Sequence, residues 1–300
     1  HEDKSIPLSS WTEEAFASSD GIVFVGAVGI AVRSIAPFIV SKLTDPAVVV
    51  VDDAGHYVIS VLSGHVGGGN ELAEDIARGI GAVPVITTAT DVHEKFAIDV
   101  WAVKQGLVIK DKTRIKTVSS KVLDDKQIML KSDFDITGDP PGGVAVTDGE
   151  ICDVRITLSA KENPDALKLV PKCIHVGIGA RKDIGYEAVS TFLKESLDKL
   201  DIDPLAVACI SSIDLKKDET ALIAVAGDYS VPFVTYDADE LMSVEGEFKT
   251  SDFVRSVTGV DNVCERSAVL SSGCGSVLMH KKSKNGVTVA VAMEDVNIRF

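Results

Sequence analysis

Two β-branched runs, Ala47 to Asp52 (AVVVVD) and Tyr57 to Leu62 (YVISVL), flank Asp53, Ala54, Gly55 and His56. Val and Ile fit a pleated, buried surface, and the short polar gap fits a turn, so the segment reads as a β-hairpin. A similar run, Gly21 to Ala27 (GIVFVGA), precedes a helically spaced stretch from Val28 to Val40 that Pro37 disturbs. Another, Ala82 to Thr87 (AVPVIT), reads as a buried strand. Short apolar strands alternating with helices are the mark of an α/β domain with a parallel-rich sheet.

Between YVISVL and the next helix lies a glycine-rich loop, SGHVGGG, after which Asn70 is placed to cap a helix. Leu72, Ala73, Ile76, Ala77 and Ile80 recur on one face of that helix. From about Phe96 to Pro171 the pattern changes to strand-like pieces (WAVKQGLVI, QIML, GVAVT, EICDVRITLS), with Asp148-Gly149 as a hairpin turn. The polar stretch KENPDALKLVPK, bracketed by Pro164 and Pro171, reads as a linker.

An α/β rhythm then restarts. Cys173 to Ile178 is expected as a strand, and Asp183 to Leu200 as a helix with Tyr186, Val189, Phe192, Leu193 and Leu197 inward. LAVACI, ALIAVA and VPFVTY read as strands, and VLMHKK with VTVAVAM as a hairpin around Asn285-Gly286. The expected organisation is an N-terminal α/β domain over residues 1–92, a small α+β middle domain over 93–170 and a C-terminal α/β domain over 171–300. The chain starts at His1 rather than Met and its first strand-plus-helix unit is read only from Gly21, so the first domain is expected to lack an initial strand and helix.

A net charge of -15 argues against a nucleic-acid or anionic-membrane partner, since both need a basic face. A small molecule is the expected ligand. No apolar run approaches the roughly 20 residues that span a bilayer, which points to a cytoplasmic protein. Five cysteines, widely spaced and without a CxxC pair, read as reduced thiols outside any catalytic role. No metal-ligand spacing with the histidines is present.

Four ordered blocks carry a more specific likeness: VGAVGIAVR; LTDPAVVVVDDAGHYVISVLSGHVGGGNELA with VPVITTATD after it; VGIGARK; and GVDNVCERSAVL followed by KNGVTVAVAM. From about Gly21 to Met293 the chain thereby resembles the cobalt-precorrin-5A hydrolase family of anaerobic cobalamin biosynthesis. The resemblance implies a hydrolase that opens the ring-A δ-lactone of a cobalt-corrinoid with water and releases acetaldehyde, giving cobalt-precorrin-5B. It implies no cofactor of the protein's own, because cobalt arrives inside the substrate. Other enzymes of the corrinoid pathway are the implied partners. The third domain has separate counterparts in that pathway, which suggests a binding role for it. Two departures stand out: Ala180 where the family often has Cys, and Gly69 where it commonly has Ala, a change read as neutral in a loop.

Lactone hydrolysis needs a base for water, donors for the oxyanion and an acid for later proton transfers. The loop Ser63 to Glu71 offers candidates for all three. His65 is the candidate base, Glu71 and Asp91 are further acid-base candidates, and the amides of Val66 to Asn70 are candidate oxyanion donors. Ser63, Gly64, Gly67, Gly68, Gly69 and Asn70 are expected to shape the substrate-binding loop, with Arg33, Arg181 and Lys182 for the macrocycle's carboxylates. Lys42 and His93 are secondary candidates, and His56 reads as a solvated turn residue.

The plainer alternative is that the glycines only permit a tight strand-to-helix turn. The loop lacks GKS or GKT and no full dinucleotide fingerprint is present, so ATP and NAD are not expected. A non-catalytic carrier of corrinoid intermediates remains the alternative function. A general esterase ranks last because there is no G-x-S-x-G elbow.

Overall fold

A computed structural model describes residues 6–41, 44–65, 67–87, 95–161 and 165–300. The chain divides into two compact units, His1–Val103 with Ser119–Gln127, and Lys104–Val118 with Ile128–Phe300.

The first unit holds α1 (Leu8–Ser18), β1 (Gly21–Val25), α2 (Val28–Ile35), β2 (Ala47–Val51), β3 (Tyr57–Leu62), α3 (Gly69–Ile80) and β4 (Val83–Val85). Most of α4 (Ile98–Lys104) also belongs to it. Its sheet has the order β1-β2-β3-β4, with β1 parallel to β2, β2 antiparallel to β3, and β3 parallel to β4. All of β2 is buried, which is why four successive valines suit it.

One face of the sheet packs Ile22, Phe24, Val48 and Val50 against Ala31 and Ile35 of α2, and the other packs Val49, Val51 and Val58 against Ala73 and Ala77 of α3. Each buried Val, Ile or Phe among these contributes about 1.5–3 kcal/mol relative to exposure. Helix α1 precedes Gly21, where the sequence reading placed no element. Its Trp11, Ala15 and Phe16 pack on the first face, Trp11 meeting the Phe24 ring edge-on at 5.7 Å. AVPVIT also departs from expectation: β4 is a short edge strand with Val83 and Pro84 exposed, a place that tolerates a proline lacking an N–H.

The second unit contains two larger sheets. The first has the order β5-β10-β9-β6-β8, from β5 (Leu107–Ile109), β6 (Ile128–Ser132), β8 (Val144–Val146), β9 (Val154–Ile156) and β10 (Leu167–Pro171). The expected linker is therefore wrong over its second half, since every residue of β10 is buried. Asp148-Gly149 is no hairpin turn either, because β8 and β9 each run parallel to β6 on its two sides. The strand expected at WAVKQGLVI is α4 followed by β5, and α5 (Thr113–Leu123) comes next in the chain. The short β7 (Ile136–Thr137) pairs with β16 (Ile298–Arg299).

The second sheet has the order β13-β12-β11-β15-β14. Here β11 (Ile174–Ala180), β12 (Val207–Ile213) and β13 (Phe233–Tyr236) are parallel, while β15 (Val287–Met293) is antiparallel to β11 and to β14 (Ser276–Lys284). Asn285 and Gly286 both take positive φ, 51° and 83°, as the tight hairpin turn between β14 and β15 requires.

On one face Val176, Ile178 and Ile210 meet Val189, Leu193 and Leu197 of α6 (Tyr186–Lys199) and Leu222 and Val225 of α7 (Thr220–Asp228). ALIAVA is thus helical, an ambiguity inherent in short apolar runs, and Tyr186 is exposed, its hydroxyl donating to Asp228. Three further α-helices follow among the described residues, α8 (Ala238–Ser243), α9 (Asp252–Thr258) and α10 (Val263–Ser271). Helix α10 lies so close to β11 that a Cβ on Gly177 would stand 1.8 Å from the Cys264 carbonyl oxygen. The GVDNVCERSAVL block owes its charges to this packing. Asn262 caps α10, buried Glu265 accepts from the Lys281 amide at 2.7 Å, and Arg266 donates to Asp261 and to the Leu241 and Val244 carbonyls.

Candidate functional site

Because β3 runs against β2, with Leu62 opposite Val48, the loop after Leu62 opens where β2 begins. Ser63 enters it with a left-handed φ of 52°, held by its hydroxyl donating to the Asp45 carbonyl at 2.9 Å. The Asp45 carboxylate in turn accepts from the Val40 and Ser41 amides, both at 2.9 Å, so the chain before β2 braces the loop.

The glycines are sterically required. A Cβ on Gly64 would stand 2.5 Å from Asn70 Oδ1, and one on Gly67 would stand 2.4 Å from the Ser63 Cβ. Gly68 is left-handed at φ 79° and is the N-cap of α3, so Asn70, expected as the cap, lies inside the helix instead. Gly69 is buried, and a Cβ there would stand 2.8 Å from the Leu62 carbonyl oxygen. In this chain Ala at 69 is therefore not the neutral change expected.

The loop amides are also used differently from expectation. The amides of Gly68, Gly69 and Asn70 donate to the carbonyls of His65, Ser63 and Gly64 at 2.8, 3.0 and 2.8 Å. They serve the turn, because its tight path brings its own carbonyls under them, and so they are not aimed at a ligand.

His65 lies in this turn with Nδ1 3.9 Å from Asp99 Oδ1, the two side chains 15% and 5% exposed. Asp99 sits in the first turn of α4, where its Oδ1 accepts from the Val100 amide at 3.1 Å. An imidazole with a carboxylate close to one ring nitrogen is an arrangement suited to a general base. The sequence reading missed Asp99. Its signal was an acid set in an otherwise apolar run, AIDVWAV.

Glu71 lies in the first turn of α3 and is exposed, and Arg33 is exposed in the last turn of α2. His56 is exposed next to the hairpin turn. Asp91, His93 and Lys42 lie outside the described residues. No group of three metal-ligating side chains gathers among the described residues. Nor is any helix among them long and apolar enough to cross a membrane.

Arg181 and Lys182 belong to the second unit, directly after β11. They line a cavity of about 940 Å³ at the carboxyl ends of β11 and β12, the end of an open α/β sheet where ligands bind. Its floor includes Gly179, Ser212 and Thr288, and Ser212 donates to the Ile178 carbonyl at 2.6 Å. Cys264 also borders it, but burial pushes that thiol up to about 11, and it pushes Cys173 up to about 12 and Cys209 to about 11. These three are thiols rather than thiolates at neutral pH. Four cysteines are buried and Cys274 is exposed.

Comparison with known proteins matches the chain in three consecutive stretches. Residues 10–91 match the family described as Cobalamin synthesis G N-terminal, 96–166 the Cobalamin biosynthesis central region, and 174–292 the Cobalamin synthesis G C-terminus. The chain is 38% identical to the cobalt-precorrin-5A hydrolase of Salmonella typhimurium over 95% of its own length and 85% of that protein. It is 32% identical to the cobalt-precorrin-5A hydrolase of Priestia megaterium, over 93% of its length and 79% of the relative. A crystal structure of CobE, a protein from the cobalamin (vitamin B12) biosynthetic pathway, matches 41% of this chain and 91% of its own at 25% identity and a TM-score of 0.39. Identity at this level over nearly the whole chain means that the protein belongs to the cobalt-precorrin-5A hydrolase family.

Proposed function

We propose that this protein hydrolyses cobalt-precorrin-5A, opening the ring-A δ-lactone with water and releasing acetaldehyde to leave cobalt-precorrin-5B. The observation that carries the chemistry is His65 beside buried Asp99 in a turn fixed by glycines. His65 takes a proton from water as the water oxygen bonds to the lactone carbonyl carbon. The resulting imidazolium lies 3.9 Å from Asp99, a separation at which opposite charges attract by about 4 kcal/mol at an effective dielectric near 20. The Gly67 amide is the candidate donor to the developing oxyanion, since the amides of Gly68, Gly69 and Asn70 are bonded within the turn.

Collapse of the tetrahedral intermediate breaks the ring C–O bond, and the departing alkoxide takes the proton back from His65. The freed alcohol then loses its proton, its C–O bond becomes the aldehyde C=O, and the carbon-carbon bond to the macrocycle breaks. The electron pair stays on the macrocycle and is protonated there. Glu71 and Asp91 are the candidates for these later transfers. Ser63, Gly64, Gly67, Gly68, Gly69 and Asn70 shape the substrate loop, and Arg33 of the same unit is the candidate there for a macrocycle carboxylate. Cobalt enters as part of the substrate and no cofactor of the protein's own takes part. The reaction runs in the cytoplasm, with other corrinoid-pathway enzymes receiving the product.

The test is acetaldehyde release from cobalt-precorrin-5A by the parent and by His65→Gln. Gln keeps hydrogen bonding but takes no proton at neutral pH, so turnover is expected to fall about 10²- to 10⁴-fold with binding retained. Parental turnover in the variant removes His65 as the base and promotes Glu71 or Asp91. Binding without any acetaldehyde from the parent itself supports a carrier instead.

A further inference from the structure

The cavity of the second unit combines features that a simple carboxylate clamp does not need. Arg181, Lys182, Lys216, Lys281 and Lys284 line it. Lys216 is paired with Glu219 at 2.9 Å, and Lys284 with Glu195 at 2.5 Å. Arg181, Lys182 and Lys281 have no carboxylate within ion-pair distance among the described residues. The Arg181 side chain is nevertheless placed, since it lies over Gly286, where a Cβ would stand 2.9 Å from its Cδ. Asp183, Asp218 and Glu219 are the acids of the lining, so cations are in excess here although the whole chain carries -15.

The rest of the wall is apolar. Ile213 and Val263 are buried behind it, and Leu215 and Val257, large apolar side chains 65% and 64% exposed, stand on two different elements of the lining. Exposed apolar side chains collected at a concave site mark a ligand surface. At about 940 Å³ the space lies near the top of the ~300–1,000 Å³ range of small-molecule pockets.

We infer that this cavity is an amphipathic macrocycle site, in which Leu215, Val254 and Val257 take an apolar ring face while Arg181, Lys182 and Lys281 take peripheral carboxylates. The identity of the ligand rests on the proposed function, but the binding does not require the chemistry at His65. The macrocycle's carboxylates bear no developing charge during hydrolysis, so these cations act on affinity.

Binding to the full-length chain is measured with cobyrinic acid, a corrin with free carboxylates, and with its amidated counterpart cobinamide. The parent is expected to bind cobyrinic acid more tightly. Arg181→Glu/Lys182→Glu is expected to weaken cobyrinic acid at least tenfold and cobinamide far less. Val257→Asp, at an exposed position that folding does not depend on, is expected to weaken both probes at least tenfold. His65→Gln is expected to bind both as the parent does.

Parental affinity for cobyrinic acid in the double charge variant, or in Val257→Asp, overturns the inference, as does failure of the parent to bind either corrin. Acetaldehyde release separates this outcome from failure of the proposed function. A parent that binds in a cavity-dependent way but releases no acetaldehyde loses the hydrolase reading and keeps the site. One that releases acetaldehyde with cavity variants at parental affinity loses the site alone.

Discussion

Replacing Asp203 with Asn tests the electrostatics of the second unit's interior. Asp203 Oδ2 accepts from Lys168 Nζ at 2.8 Å and from Lys110 Nζ at 2.9 Å, and its Oδ1 accepts from the Leu205 amide at 3.1 Å. The Lys168 and Asp203 side chains are 4% and 2% exposed, so neither charge has water as an alternative partner. Burial pushes the Asp203 carboxyl up, but Lys168, Lys110 and the Leu205 amide together hold it below its ordinary value.

The Asp203→Asn substitution would leave the buried Lys168 cation without its counter-charge, which costs about 3–5 kcal/mol. With a urea dependence of about 2–3 kcal/mol per molar, the midpoint falls by about 1–2.5 M. The sign with pH follows from the depressed pKa. The stabilisation is fully present above the unfolded value near 3.9 and is lost as pH falls through the lower folded value. The penalty of Asp203→Asn is therefore expected in full at pH 7 and to shrink once the parent's own carboxylate protonates below about pH 4. Asp203→Asn with Lys168→Met is expected to recover most of the loss, because an apolar pair does not carry the desolvation cost. Urea unfolding followed by circular dichroism at both pH values measures this. A loss under about 1 kcal/mol at pH 7, or one undiminished by Lys168→Met, refutes the reasoning.

Two further outcomes follow from packing and burial. Gly69→Ala is expected to destabilise by about 1–3 kcal/mol, because the Leu62 carbonyl must move, and an unchanged melting temperature contradicts the steric reading. Of the five cysteines, Cys274 is expected to react rapidly with a disulfide reagent at pH 8 while the four buried thiols react only after urea is added, and rapid titration of more than one native thiol refutes this.

What could be read from sequence tracks how local the controlling interactions are. The hairpins at Ala47 to Leu62 and around Asn285-Gly286 were legible, since β-branched runs and turn residues specify them with no help from distant chain. ALIAVA and WAVK were misread as strands because a short apolar run is equally suited to a buried helix, and only packing of Leu222 and Val225 against the sheet decides it. In β10 the polar flanks and two prolines concealed a strand whose Lys168 is neutralised by Asp203, a partner far away in sequence. His65 was visible as a histidine in a glycine turn. Asp99 was not, because the two meet only through the tertiary fold. The donors assigned to the glycine loop were wrong for a related reason: spacing shows where amides lie, but not that the turn's own carbonyls already occupy them.

The position of β15 has a consequence for how the second unit reaches its folded state. It fills the side of β11 opposite β12, and the bond from Thr288 to the Gly179 carbonyl joins residues 109 apart. Contacts of such long sequence separation form late, because the loop-closure entropy is lost before they give anything back. Until they form, Ile174 to Ala180 presents a row of unpaired amides and carbonyls on an apolar strand, an invitation to pairing between molecules. The closing hairpin therefore decides whether a partly folded chain stays alone or joins its neighbours, and slow arrival of Val287 to Met293 favours aggregation at high concentration.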